Sequence, residues 1–231
     1  MTHIVILTGA GISAESGIET FRADTGLWAQ HRVEDVATPE GFARDPARVV
    51  EFYNKRRATA AQAQPNAAHK ALARLEREHA GEVLLVTQNV DDLHARAGSS
   101  NLIHMHGALN SALCGSCNHH WPAPAVMHVG QTCPACHAPA ARPDIVWFGE
   151  MPYRIEQIFN ALAHADLFAA IGTSGNVYPA ADFVAEAAQA GAQTLEINLE
   201  RSAVGSQFDE VLLGPATQTV PAWVDRILAK A

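Results

Sequence analysis

Cys114 and Cys117, then Cys133 and Cys136, form two Cys-x-x-Cys pairs with fifteen residues between them. Thiolates at that spacing suit tetrahedral zinc, and four of them close its coordination sphere. No position is left for a substrate water, so the metal would hold a segment together without taking part in chemistry. His119, His120 and His137 stand nearby as alternative ligands. Elsewhere, His104-Met105-His106-Gly107 offers two groups that titrate near neutral pH, each readable as a general base or as a structural histidine. Gln88-Asn89-Val90-Asp91 offers carboxamides and a carboxylate, which could bond a ligand amide or cap a helix. Tyr53 and Arg56, three apart on one helix face, could read an acidic group; Lys55-Arg56-Arg57 also reads as a solvated basic face.

These groups need elements to hold them. His3 to Leu7 is a short apolar, β-branched run that reads as a buried strand. Thr8-Gly9-Ala10-Gly11-Ile12-Ser13-Ala14-Glu15-Ser16-Gly17 follows, and its glycines permit a sharp turn and close approach of a ligand. A short helix from Ser13 to Phe21 would point free N–H groups at an anion. The combination suits a dinucleotide pyrophosphate cradle, or a plain tight turn. The usual dehydrogenase continuation is missing, because residues 21–28 break all periodicity and no strand leads into Glu34 and Asp35. A ligand-covering loop is expected there instead.

Thr38 reads as the cap of a helix opened by Pro39, and further helices are expected at about 46–64 and 66–79. Strands are expected at 82–87, 101–107, 142–150, 167–171 and 193–197, with helices at about 155–165, 180–190 and 221–230. Gly172-Thr173-Ser174-Gly175 forms a second glycine-bearing turn. Strands alternating with helices through short connections imply an α/β fold, a parallel sheet covered on both faces. Residues 113–142 lack core periodicity and read as an insert.

The 231 residues can bury one large core, and 48% of them are hydrophobic. A net charge of 16 − 24 = −8 argues against nucleic acid or an anionic membrane as a partner held by bulk charge. No run approaches the roughly 20 apolar residues of a membrane span. With no export signal, a cytoplasmic location is expected.

Gly9-Ala10-Gly11-Ile12-Ser13, Gly17-Ile18 with Phe21-Arg22, Thr87-Gln88-Asn89-Val90-Asp91 and His106-Gly107 stand in one order with the double Cys-x-x-Cys, Gly172-Thr173-Ser174 and Ile197-Asn198. Across nearly the whole chain this series resembles the sirtuins, NAD-dependent protein lysine deacylases. The resemblance implies a Rossmann-like part over about 1–35, 66–112 and 143–231. It also implies a small domain combining a helical insert at about 36–65 with a zinc module at about 113–142. NAD+ would be a consumed co-substrate, beside one structural Zn2+.

By the same resemblance, Gly9, Ala10, Gly11, Ser13, Gly17, Phe21 and Arg22 would form the first part of the NAD site. Backbone N–H groups there would hold the pyrophosphate, and Arg22 with its loop would close over the cofactor. Gln88, Asn89 and Asp91 would line the ribose and nicotinamide; Gly172, Thr173, Ser174, Asn198 and Leu199 would line the adenosine half. His106 would be the catalytic base, with Asn89 beside it. The acyl oxygen would displace nicotinamide from the ribose to give an alkylimidate. His106 would take a proton from the ribose hydroxyls so that the 2′-oxygen attacks the imidate carbon, and water would complete transfer to free lysine and O-acyl-ADP-ribose. Val146, Trp147, Phe148 and Gly149 would pair with the substrate peptide as an added strand.

Tyr53-x-x-Arg56, together with the small Ala37, resembles the mark of class III sirtuins. It implies desuccinylation and demalonylation beside deacetylation. The implied partners are acylated lysines in proteins, with the enzyme a monomer. Competing readings are mono-ADP-ribosyl transfer, acetyl-specific deacetylation, and a zinc-ribbon interaction module with a vestigial nucleotide site. Hydride transfer is weakened by the missing second strand.

Overall fold

The computed structural model describes residues 2–20 and 30–229. Phe21, Arg22 and the loop expected to cover the ligand lie outside the described residues. The chain opens with β1 (Ile4–Thr8), α1 (Gly11–Ala14), α2 (Val33–Val36), α3 (Pro39–Arg44), α4 (Pro46–Gln62) and α5 (Ala67–Glu78). It continues with β2 (Val83–Thr87), α6 (Leu93–Ala97), β3 (Leu102–His104), β4 (Gly107–Cys114), β5 (His120–Pro122) and β6 (Ala141–Ile145). It closes with α7 (Ile155–Leu162), β7 (Leu167–Ile171), α8 (Phe183–Gln189), β8 (Gln193–Asn198), β9 (Glu210–Leu213) and α9 (Ala216–Leu228).

Local chemistry starts the three helices that follow α2. Thr38 Oγ1 accepts the Gly41 N–H, with Pro39 in the first helical position of α3. Asp45 accepts the Arg48 N–H to open α4. Asn66 and His69 form a reciprocal capping box at α5.

Six parallel strands pair in the order β3-β2-β1-β7-β8-β9. Their apolar runs serve both faces, as the two-residue period requires. Ile4, Ile6 and Leu85 pack with α5 and α9, while Val5, Leu7 and Phe168 pack with α7 and α8. A separate antiparallel sheet, β5-β4-β6, packs with α3 and α4 through Val49, Phe52, Tyr53, Leu109 and Trp147, and through Val50 against Met127. The chain is therefore α/β, with a parallel sheet and a smaller lobe of helical and cysteine-rich inserts.

Several boundaries differ from expectation. The helix expected from Ser13 to Phe21 is only one turn, because Gly17 takes φ +84 and turns the chain away. The strand expected over 142–150 stops at Ile145, since the Phe148 N–H leaves the sheet to meet the Ala37 carbonyl at 2.9 Å. β9 is a short edge strand without full burial and gave little periodic signal. Helix α9 begins five residues ahead of the expected start and carries Pro221 inside it.

Candidate functional site

Parallel pairing brings the motifs together. Thr8 lies level with Thr87 on one side and Ile171 on the other, and Ile171 lies level with Ile197. Gly9–Gly11, Gln88–Asn89, Gly172–Ser174 and Asn198–Leu199 therefore emerge along one edge of the sheet. β1 stands where strand order reverses, which is where open α/β sheets form a ligand crevice.

The two glycine turns pack backbone against backbone. A Cβ on Gly9 or Gly11 would lie 2.8 Å from the Gly172 carbonyl oxygen, and one on Gly172 would lie 2.5 Å from Ile12 N. This contact uses donors that were expected to hold pyrophosphate. Gly9 N–H donates to Ile171 O at 3.0 Å, and Gly11 N–H to Gly172 O at 2.8 Å. The Ile12 and Ser13 amides bond back to Gly9 and Ala10. Of the amides from 9 to 13, that of Ala10 has no backbone acceptor among the described residues. Gln88 Nε2 donates to Thr173 Oγ1 at 3.0 Å and Asn198 Nδ2 to Thr173 O at 2.7 Å, which ties the neighbouring strand ends to the β7 turn. Leu199 is 69% exposed beside them.

Behind these turns lies a buried polar cluster. Asn89 Nδ2 donates to Gly9 O and Ser13 Oγ, both at 3.1 Å, so its amide orientation follows from a carbonyl that can only accept. Ser13 Oγ donates to Asp91 Oδ2 at 3.2 Å and lies 3.3 Å from His69 Nε2. Asp91 Oδ1 accepts the Leu93 N–H at 3.1 Å, so it also caps α6. Burial raises the Asp91 pKa, and it lowers that of His69 to about 4 and that of His94 well below 6.5. His94 Nε2 stands 3.0 Å from Thr8 Oγ1, and its ring packs 4.7 Å from that of His69. No sequence motif assigns His69 or His94 to this cluster. One signal was visible, the Asn66-x-x-His69 spacing, but it reads equally as a helix start.

His106 sits between β3 and β4, with Nδ1 3.2 Å from the Gln88 carbonyl oxygen. That oxygen can only accept, so Nδ1 carries the proton and Nε2 keeps its lone pair. Burial lowers the His106 pKa, against the opposing hydrogen bond to Gln88, and favours the neutral imidazole. His104 makes the equivalent contact to Asn89 O at 3.3 Å. The His106 carbonyl accepts the Val146 N–H at 2.9 Å, joining the histidine to residues 146–149. In that segment the Trp147 N–H bonds Glu150 Oε2 at 2.8 Å. Val146, Trp147 and Phe148 thus spend their donors inside the protein, and Gly149 turns at φ +91.

The basic run on α4 divides by burial. Arg57 is buried, with Nε 2.6 Å from Leu109 O, whereas Lys55 is exposed and pairs with Glu51. Arg56 is half-buried, 5.6 Å from the centroid of the buried Tyr53 ring, and burial lowers its pKa. Ala37 packs in the same cluster as Tyr53 and Trp147.

Cys114, Cys117, Cys133 and Cys136 bring their sulfurs within 4.8 Å of one another. Cys114–Cys136 at 3.6 Å and Cys117–Cys133 at 3.8 Å match the edge of about 3.8 Å that a zinc–sulfur bond of about 2.3 Å gives in a tetrahedron. Both separations are far too long for disulfides. The donor set fits a structural zinc.

The Sir2 family model matches residues 9–179. An NAD-dependent protein deacylase of Vibrio cholerae is 57% identical over 98% of this chain and 94% of its own length. One from Caulobacter vibrioides is 54% identical, covering 98% and 97%. A solved complex of a Sir2 homologue with NAD is 40% identical, with a TM-score of 0.90 over 98% of this chain and 90% of that one.

Proposed function

The chain belongs to the Sir2 family and is an NAD-dependent protein deacylase; we propose that the residues at the C-terminal edge of its parallel sheet carry the reaction. The observation that carries this reading is His106. Its Nδ1 proton is committed to the Gln88 carbonyl, so Nε2 is the basic atom, and burial keeps the ring neutral and able to take a proton. NAD+ supplies the glycosidic bond whose cleavage releases nicotinamide. Gly9, Ala10, Gly11, Gly17, Gly172, Thr173, Ser174, Asn198 and Leu199 would hold it at the strand ends, together with Phe21 and Arg22. Asn89, with Nδ2 fixed by Gly9 and Ser13, leaves Oδ1 to orient a ligand donor; Gln88 and Asp91 border the same place.

Residues 36–65 and 113–142 act as a small domain, and their shared apolar clusters support that division. Residues 146–149 take the substrate peptide. The amide donors of Val146, Trp147 and Phe148 are already used, so pairing runs through other groups. For the acyl group, Tyr53 and Arg56 side by side on α4, near the small Ala37, suit a carboxylate. The activity is therefore desuccinylation and demalonylation beside deacetylation, an acyl transfer to ADP-ribose. Four thiols fit for zinc support a reducing, cytoplasmic setting. The net charge of −8 supports the absence of a nucleic-acid partner.

The test incubates the enzyme with NAD+ and matched acetyl- and succinyl-lysine peptides. Arg56→Met is expected to lower kcat/KM for succinyl relative to acetyl about 10- to 100-fold, the worth of hydrogen bonds to a charged group. Equal losses on both peptides would sink the acyl assignment. His106→Tyr is expected to stop peptide-dependent nicotinamide release, and release at the parent rate would remove His106 as the base.

A further inference from the structure

Trp147 and Tyr53 lie far apart in the chain, yet Trp147 Nε1 stands 3.1 Å from the Tyr53 hydroxyl oxygen and both side chains are buried. An indole N–H can only donate, so the phenol oxygen is the acceptor and the phenol proton must find another partner. The bond to Trp147 therefore leaves that proton unspent. Arg56 stands against the same phenol ring, 5.6 Å from its centroid.

Trp147 is itself clamped. The Arg142 guanidinium lies 3.9 Å from the indole centroid, and Arg142 donates to both carboxylate oxygens of Glu150, at 2.7 and 2.8 Å. Glu150 in turn accepts the Trp147 backbone N–H, and Phe42 packs 5.2 Å away on the ring. Ring and backbone are therefore both fixed, which fixes the direction of the indole donor.

We propose that Trp147 is a specificity-positioning residue: by donating to the Tyr53 oxygen, it commits the Tyr53 proton to the carboxylate of an acidic acyl group. The inference rests on reading Tyr53 and Arg56 as the acyl-recognising pair. A donor already bonded to the phenol oxygen polarises its O–H, which strengthens a bond to an anion. An acetyl group carries no carboxylate for that proton. Trp147 also belongs to the segment assigned to the peptide, so one side chain would join peptide docking to reading of the acyl tail.

The test measures kcat and KM for matched succinyl and acetyl peptides in Trp147→Phe, Tyr53→Phe and the double variant, with Arg56→Met alongside. The succinyl-to-acetyl ratio of kcat/KM cancels any shared damage to the peptide segment. Trp147→Phe is expected to lower that ratio about five- to tenfold, the worth of one oriented hydrogen bond, chiefly through KM for succinyl peptide. In the Tyr53→Phe background it is expected to lower the ratio no further. A parent-like ratio in Trp147→Phe, or a further loss in the Tyr53→Phe background, overturns the positioning role. A benzothienylalanine at 147 keeps the indole shape without the N–H and gives the same readout where phenylalanine does not fold. If Trp147→Phe fails while Arg56→Met lowers the ratio, only the positioning role falls. If Arg56→Met leaves the ratio unchanged, the acyl-pair reading fails with it.

Discussion

His69 and His94 show what burial does to a single residue. Both stand behind the β1 turn, bonded to Ser13 and Thr8, and both are held below the ordinary histidine pKa by loss of solvent. Above pH 6.5 neither the folded nor the unfolded chain protonates these rings. Below it the unfolded chain takes up protons, while folded His69 stays neutral down to about 4. Unfolding is thus favoured progressively as pH falls, by roughly 3 kcal/mol from His69 alone on reaching pH 4. Urea unfolding across pH 4 to 7 is expected to show this loss, and His69→Gln is expected to flatten it. An unchanged pH slope in the variant would mean that His69 does not carry the effect.

At the scale of elements, the site depends on how closely two strand-end turns approach. Gly172 has φ +62, and a Cβ there would stand 2.5 Å from Ile12 N and 2.8 Å from Gly11 C. Gly17 also has positive φ, at +84, but has nothing within 4 Å of a built Cβ. Gly17→Ala therefore meets only the backbone strain of about 1–2 kcal/mol, whereas Gly172→Ala must also force the turns apart. Gly172→Ala is expected to lower the melting temperature more than Gly17→Ala and to raise KM for NAD+ more. Equal effects from the two variants would show that turn-to-turn contact does not shape the site. Much of this element level was legible beforehand. Thr38, Pro39 and Asn66 announce helix starts by local chemistry, and β1, β2 and β7 announce themselves by apolar runs. β9 and the true start of α9 were not legible, because an edge strand need not be apolar throughout and an internal proline reads as a helix start.

At the scale of the whole molecule, the cysteine module is tied to α4. Asn54 Nδ2 donates to Met127 O and Asn54 Oδ1 accepts the Met127 N–H, both at 2.9 Å, while Arg57 Nη2 reaches Met127 Sδ. Met127 also packs with Val50. Losing the metal would free the segment that carries Met127 and uncover the face of α4 opposite it. Zinc removal by a chelator is expected to lower the melting temperature by several degrees and abolish deacylation, with both recovered on stoichiometric zinc. A melting curve unmoved after measured zinc release would show that the metal does not support this lobe.

The sequence by itself determined the four-cysteine pattern, the glycine turns and the helix starts at Thr38 and Asn66, because each depends on residue type and short spacing, whereas His106 was set apart from His104 only by resemblance to the family. Tertiary structure alone decided which atoms remain for chemistry. Packing of the Gly172 turn against Gly9 and Gly11 took amides that looked available for phosphate, and the Gln88 carbonyl selected the basic nitrogen of His106. Burial separated Arg57 from Arg56 within one basic run, and long-range contact set Trp147 on Tyr53. These outcomes depend on groups distant in the chain, and a hydrogen bond's direction is set by whichever donor or acceptor folding brings to it.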